Sequence, residues 1–256
     1  MIAVILAGGM GTRLREETEF RPKPMVEIGG KPILWHIMKT LSMQGINDFV
    51  ICLGYKGDYI KDFFLNYEIR THDVTIKLGK DKKVIQHDQN VSENWTITLA
   101  NTGLDTMTGG RIKNIENYVQ GESFLCTYGD GVADIDVKSL VDFHKAHGKI
   151  ATVTAVRPTN RFGAMKIDGK DTVVDFSEKP RAESWVNGGY FIFEPEIFDY
   201  LEVNSILEKD PLEKLSKAGE LKSYKHNGFW QPMDTYRESQ ELNELWKNND
   251  APWKNW

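Results

Sequence analysis

The sequence predicts an α/β protein whose mixed, mostly parallel, Rossmann-like sheet is flanked by helices and followed by a strand-rich part. Three observations carry this. Met1 to Ala7 is an unbroken apolar run stopped by Gly8 and Gly9, the pattern of a short strand buried on both faces. Strand and helix periodicities then alternate, with a break at residues 74–100, as far as residue 156, which builds parallel units with their loops gathered at the strand C-termini. Beyond that point the alternation gives way to short strand patterns.

Taken in order, Ile33, Leu34, Ile37, Met38 and Leu41 recur at helical spacing between Lys31 and Gln44, with Pro32 suited to the first turn and Gly45 to the stop. Asp48 to Leu53 reads as a strand, and Ile60, Phe63 and Phe64 mark a helix after Gly57-Asp58. Val74, Ile76 and Leu78 alternate, as do Trp95, Ile97 and Leu99, so two half-buried strands are expected. The charged stretch from Lys80 to Asn94 has no period and reads as a mobile loop. Ile112, Ile115 and Val119 predict a helix entered through Thr108-Gly109-Gly110, and Ser123 to Tyr128 a strand. Val137 to His147 is a helix ended by Gly148, and Ala151 to Val156 a strand. Ala164 to Ile167, Thr172 to Phe176 and Gly189 to Phe193 are strand candidates, and Asp210-Pro211-Leu212-Glu213 opens a helix. No internal repeat or low-complexity linker divides residues 1–256, which read as a single domain.

Composition narrows the function classes. Apolar content of 40% and charged content of 27% are those of a globular chain with an ample core. A net charge of -5 argues against a nucleic-acid surface. The first apolar run has no basic leader and is far short of the ~20 residues of a membrane span, so a cytoplasmic protein is expected. Cys52 and Cys126 sit inside apolar strands and read as buried thiols, not a disulfide.

Chemistry concentrates after the first strand. Gly8, Gly9 and Gly11 let backbone N–H groups approach a ligand closely, and Arg13 and Lys23 add positive charge, a setting for polyphosphate. A Walker A loop is excluded because Gly11 is followed by Thr12 and Arg13. The dinucleotide fingerprint is excluded because Leu14 stands where its third glycine belongs. Asp130 ends an apolar strand on the same sheet edge, where a carboxylate can hold Mg²⁺; Asp130-Gly131 reads equally as a turn. Asp234 is a second carboxylate, beside a Thr235-x-x-Glu238 pattern that predicts a helix cap. In isolation Lys179 of Glu178-Lys179-Pro180 reads as a solvated lysine. The helical His144 and His147 read as surface or capping residues, and no serine has a nucleophile-elbow setting.

Gly9-x-Gly11-Thr12-Arg13-Leu14, a variable stretch, then Lys23-Pro24, resembles the signature of the sugar-1-phosphate nucleotidylyltransferases. Within that family, residues 27–38, Thr106 to Arg111, Tyr128 to Gly131 and residues 228–235 are similar to the cytidylyltransferases that act on glucose 1-phosphate. Thr106 to Arg111 replaces the shorter segment that stands near the base in the thymidylyl and uridylyl relatives, which favours CTP. The resemblance implies the nucleotide-diphospho-sugar transferase fold, with a nucleotide-binding part at about 1–156 and a sugar-phosphate-binding and oligomerisation part at about 157–256. It implies that Leu6, Ala7, Gly8, Gly9, Met10, Gly11, Thr12 and Arg13 wrap the nucleotide, with Lys23 on its phosphates and Thr106, Arg111 and Asp130 also in contact. Arg13, Lys23 and Asp130 would be catalytic, and Asp130 and Asp234 would bind Mg²⁺. Lys179 would grip the sugar phosphate, with Glu178, Asn187 and Gly188 around the sugar. The implied reaction makes CDP-glucose and pyrophosphate from CTP and glucose 1-phosphate, without a covalent enzyme intermediate, for surface polysaccharide synthesis. The family forms homo-oligomers, hexamers among them, and the tryptophans near the C-terminus are expected at a subunit interface or folded back on the core. The competing readings are a uridylyl- or thymidylyltransferase and a non-catalytic sugar-nucleotide sensor.

Overall fold

The computed structural model describes residues 1–80, 82–87, 93–119, 121–159, 162–178 and 181–256, with residues 15 and 16 described by their backbone alone. Seven strands form the central sheet: β1 (Ile2–Ala7), β2 (Asp48–Leu53), β3 (Thr96–Asn101), β4 (Phe124–Tyr128), β5 (Ala151–Val156), β6 (Val186–Phe193) and β7 (Leu221–Lys225). Their order is β3-β2-β1-β4-β6-β5-β7. Neighbours β1, β2, β3 and β4 run parallel, β5 and β7 are parallel, and β6 runs antiparallel to both β4 and β5. The order reverses between β1 and β4, so the loops after those two strands diverge and leave a crevice at their C-terminal ends.

The unbroken apolar run of β1 has a simple cause. Ala3, Ile5 and Ala7 belong to one apolar cluster and Val4 and Leu6 to another on the opposite face of the sheet, so both faces of the strand are covered. The longer helices that cover the sheet are α1 (Ile33–Ser42), α2 (Gly57–Leu65), α3 (Thr108–Lys113), α4 (Val137–His147), α5 (Asp210–Lys217) and α6 (Tyr236–Lys247). The C-terminal tail folds back onto α1: Trp253 is fully buried, and its indole N–H donates to His36 Nδ1 at 3.3 Å. That leaves His36 Nε2–H to donate to the Ile28 carbonyl at 2.8 Å. Burial holds this imidazole neutral, with its pKa pulled down to about 4.

Three expectations are revised, and one strand, β7, is found that no sequence pattern announces. Within the stretch read as a loop, Lys83–His87 is a strand paired antiparallel with Asp73–Lys77; only Ile85 is half-buried, so no apolar alternation marks it. The predicted helix through Ile112 and Val119 is two short ones, α3 and Glu116–Val119. β7 carries only Leu221 and Tyr224 as half-buried apolar residues, too sparse a pattern to read. His144 is not a surface residue. It is 2% exposed, its Nδ1 2.7 Å from Thr152 Oγ1 and its Nε2 2.9 Å from Glu194 Oε1.

Candidate active site

The loop after β1 is shaped by two glycines with different reasons for being there. Gly11 has φ +60, a left-handed conformation that a side chain strains, and an added Cβ would meet Thr18 and Lys23 at 2.9 Å. Gly8 has an ordinary backbone, but its missing Cβ is the space taken by the Arg111 guanidinium, 2.2 Å from where that atom would be. Arg111 is 4% exposed. Its Nη1 donates to the Leu53 carbonyl at 2.9 Å, and to Thr102 Oγ1 and the Gly103 carbonyl at 2.8 Å; its Nη2 reaches the Gly8 and Leu104 carbonyls at 3.1 and 3.2 Å. One side chain thus ties the ends of β1 and β2 to the loop after β3. Burial lowers its pKa, and the carbonyl oxygens around it compensate its charge.

Lys23 opens a short helical turn, Lys23–Met25, and is buried. Its Nζ donates to Asp130 Oδ2 and, at 2.5 Å, to Asp234 Oδ1. Burial opposes the lysine's charge, but the two carboxylates outweigh it, and the pKa is raised. Arg13, largely exposed, holds the other oxygen of Asp234 at 2.7 Å. Asp130 and Asp234 come from distant segments, and backbone pairing brings them together. Gly131–Ala133 pairs antiparallel with Trp230–Pro232, and Met233 N–H donates to the Asp130 carbonyl at 2.8 Å. Two carboxylates therefore converge on one cation at the end of the crevice.

Two cavities adjoin at this point. The first, about 330 Å³, is lined by Leu6, Ala7, Gly8, Gly9, Gly11, Thr12, Arg13, Lys23, Thr106, Met107, Thr108, Arg111 and Asp130, among others. The second, about 340 Å³, is lined by Asn187, Gly188, Gly189, Tyr190, Trp230 and Asp234 among others. Arg13, Tyr128 and Asp130 border both. Of the residues singled out in the sequence, Met10 is half exposed and lies outside both linings. Glu178 is exposed and lines neither cavity, and Lys179 falls outside the described residues.

Sequence reasoning passed over three side chains. Tyr128, between the cavities, donates its hydroxyl to Glu208 Oε1, while Thr108 donates to Glu208 Oε2 at 2.6 Å. Burial and the adjacent Glu208 push the Tyr128 pKa far up, so it remains a phenol and a donor. Trp230 donates its indole N–H to the Gly188 carbonyl at 2.7 Å and walls the second cavity. Glu208 sits in an irregular segment with no motif around it; Trp230 stood inside a recognised segment as an unassigned aromatic.

Asp130 and Asp234 offer only carboxylate oxygen, and among the described residues no group of three or more His, Cys, Asp or Glu side chains gathers as a metal cage. Two carboxylates beside the glycine loop after β1 match the donor set of Mg²⁺, an ion that takes one or two protein carboxylates and completes its shell with phosphate oxygens and water.

A family model described as nucleotidyl transferase matches residues 2–235. The chain is 52% identical to glucose-1-phosphate cytidylyltransferase of Salmonella typhi, covering all of both chains. It is 43% identical, again over all of both, to the probable glucose-1-phosphate cytidylyltransferase of Bacillus subtilis strain 168. Among solved structures, HddC from Yersinia pseudotuberculosis complexed with GMP-PN superposes with a TM-score of 0.69 at 27% identity, covering 96% of this chain and 99% of that one.

Proposed function

This chain belongs to the nucleotidyl transferase family, and we infer that it transfers the cytidylyl group of CTP to glucose 1-phosphate, giving CDP-glucose and pyrophosphate. One observation carries the reading. Two cavities, one walled by a glycine loop and one by Asn187, Gly188 and Trp230, meet at Arg13 and Asp130, so two phosphorylated substrates would meet end to end there.

The triphosphate would lie along the loop after β1, facing backbone N–H groups that Gly8 and Gly11 allow close to it. Thr106, Met107 and Thr108 line the same cavity, and base selection is assigned to them. Glucose 1-phosphate would occupy the second cavity, with Asn187 and Gly188 toward the sugar; Lys179 and Glu178 are assigned to its phosphate and hydroxyls on the family resemblance. A phosphate oxygen of the sugar attacks the α-phosphorus in line, and pyrophosphate leaves. Two polyanions repel, so the enzyme's contribution is alignment and charge: Lys23 and Arg13 hold positive charge at the junction of the cavities. Asp130 and Asp234 would hold Mg²⁺, which supplies further neutralisation of phosphate charge when bound.

The assay is pyrophosphate release, with CTP, UTP, dTTP, ATP and GTP each offered with glucose 1-phosphate and Mg²⁺. Release with CTP alone is expected; preference for UTP or dTTP would discard the base assignment, and CTP binding without any release would leave a sensor.

The protein also works as a homo-oligomer on this reading, a hexamer being the form that the resemblance favours. The hairpin of Ala164–Ile167 and Val173–Ser177 is exposed along both strands and presents Met165, Ile167, Val174 and Phe176, an apolar surface that a second copy would cover. Light scattering at micromolar concentration tests it: a monomer would refute the assembly. Among the described residues no helix is long and apolar enough to cross a membrane; a cytoplasmic location is part of the proposal.

A further inference from the structure

Asp234 owes its place to more than the strand pairing before it. It stands one residue ahead of Thr235, the N-cap of α6. Glu238, in the first turn of that helix, folds back so that its Oε2 accepts the N–H of Thr235 at 2.9 Å and the N–H of Asp234 at 2.8 Å. Thr235 Oγ1 in turn accepts the Glu238 N–H at 3.3 Å. A capping box needs only the reciprocal pair between Thr235 and Glu238. The bond to Asp234 is additional, and it falls on the residue whose carboxylate spans Lys23 and Arg13. Glu238 is 8% exposed, so water competes weakly for its oxygen. The segment matched by the family model stops at residue 235, short of this side chain.

We propose that Glu238 is a positioning residue for the cation site: by fixing the main chain of Asp234, it aims that carboxylate at the point shared with Asp130. The inference rests on the reading above, in which Asp130 and Asp234 hold a divalent cation. A carboxylate on a freely rotating backbone spends part of its time pointing elsewhere, and each such orientation lowers the fraction competent to bind. Glu238 removes that freedom at the backbone, whereas Lys23 and Arg13 act only on the side chain.

The bland alternative is that Glu238 merely stabilises α6, and Thr235→Ala separates the two. That variant breaks the other half of the capping box while leaving both N–H bonds to Glu238 in place. Mn²⁺ binding to the full chain, read by the loss of the free-ion EPR signal, is measured alongside the melting temperature. Glu238→Ala is expected to weaken Mn²⁺ about tenfold, the lower end for outer partners of metal ligands. Thr235→Ala should melt earlier yet bind Mn²⁺ as the wild type does. Glu238→Gln, which keeps an acceptor oxygen, should restore binding. If Glu238→Ala does not fold, Glu238→Asp, charged but too short to reach, takes its place. Equal Mn²⁺ affinity in the Glu238 and Thr235 variants overturns the inference. Asp234→Asn separates its failure from that of the underlying reading. Wild-type binding in Asp234→Asn removes the metal role of Asp234 and the inference with it. Loss of binding there, with Glu238→Ala unaffected, overturns the positioning role alone.

Discussion

The two cavities are built by different means. The first is largely a backbone structure: consecutive residues after β1, whose Gly8 carbonyl is pinned by Arg111, and the end of β4 make much of its wall. The second is assembled from separate pieces of β6, the Trp230–Pro232 strand and the entry to α6, and its shape depends on side-chain contacts such as Trp230 to Gly188. A backbone wall is held by the sheet itself and, in the proposed reaction, would bind the part of a substrate that all nucleotides share. A side-chain wall is held by individual hydrogen bonds of about 0.5–1.5 kcal/mol each, so single substitutions can retune it. Selectivity for the sugar should therefore be easier to shift than the grip on triphosphate.

The largest effect is expected where the cavities join. Lys23→Ala removes the buried cation that bridges Asp130 and Asp234, leaving Arg13 paired with Asp234, and leaving Asp130 without an ion pair among the described residues. Turnover should fall about 100-fold or more, the scale for losing a preorganised charge contact, and both substrates should be affected. A folded Lys23→Ala with near-wild-type turnover would show the junction to be dispensable.

Gly8→Ala comes next and should strike one cavity only. Its Cβ would sit 2.2 Å from the Arg111 guanidinium carbon, so Arg111 must withdraw and several of its carbonyl contacts must break. Losing contacts of a charged donor worth about 1.5–3 kcal/mol predicts a rise in the KM for CTP of about tenfold or more. The KM for glucose 1-phosphate should hold. Parallel rises in both constants would mean that the backbone wall supports both sites.

What was legible in the sequence follows the same division. The glycine turn after β1, β1, β2, β5 and α4 were readable because contiguous residues carry their cause: an apolar run covered on both faces, glycines at a turn, a helix with its Gly148 stop. The two carboxylates were readable as residues, but their convergence depends on pairing Gly131–Ala133 with Trp230–Pro232, which no local pattern announces. Arg111 was assigned to the nucleotide on resemblance; its clamp on five acceptors from separate segments could be seen only once the chain was folded. The link from Glu208 to Tyr128 and Thr108 was hidden for the same reason. Of the two fates expected for the C-terminal tryptophans, Trp253 takes the fold back onto the core. Its partner His36 lay within a segment already recognised, with nothing to mark the contact.

Trp230→Phe should give the smallest effect and the sharpest separation. Phenylalanine keeps an aromatic ring beside Pro232 but removes the indole N–H that donates to the Gly188 carbonyl at 2.7 Å. That carbonyl belongs to β6, next to Asn187, whose side chain accepts the Gly189 N–H at 2.8 Å. Releasing it loosens the start of β6, which carries Asn187 into the second cavity. One neutral hydrogen bond of about 1 kcal/mol predicts a rise of roughly fivefold in the KM for glucose 1-phosphate. The KM for CTP should change by less than about twofold, because no wall of the first cavity rests on Trp230. Steady-state kinetics with each substrate varied at saturating levels of the other reads both constants. A matching rise for CTP would collapse the distinction between the two walls. No change in either would mean that β6 holds Asn187 without help from the indole.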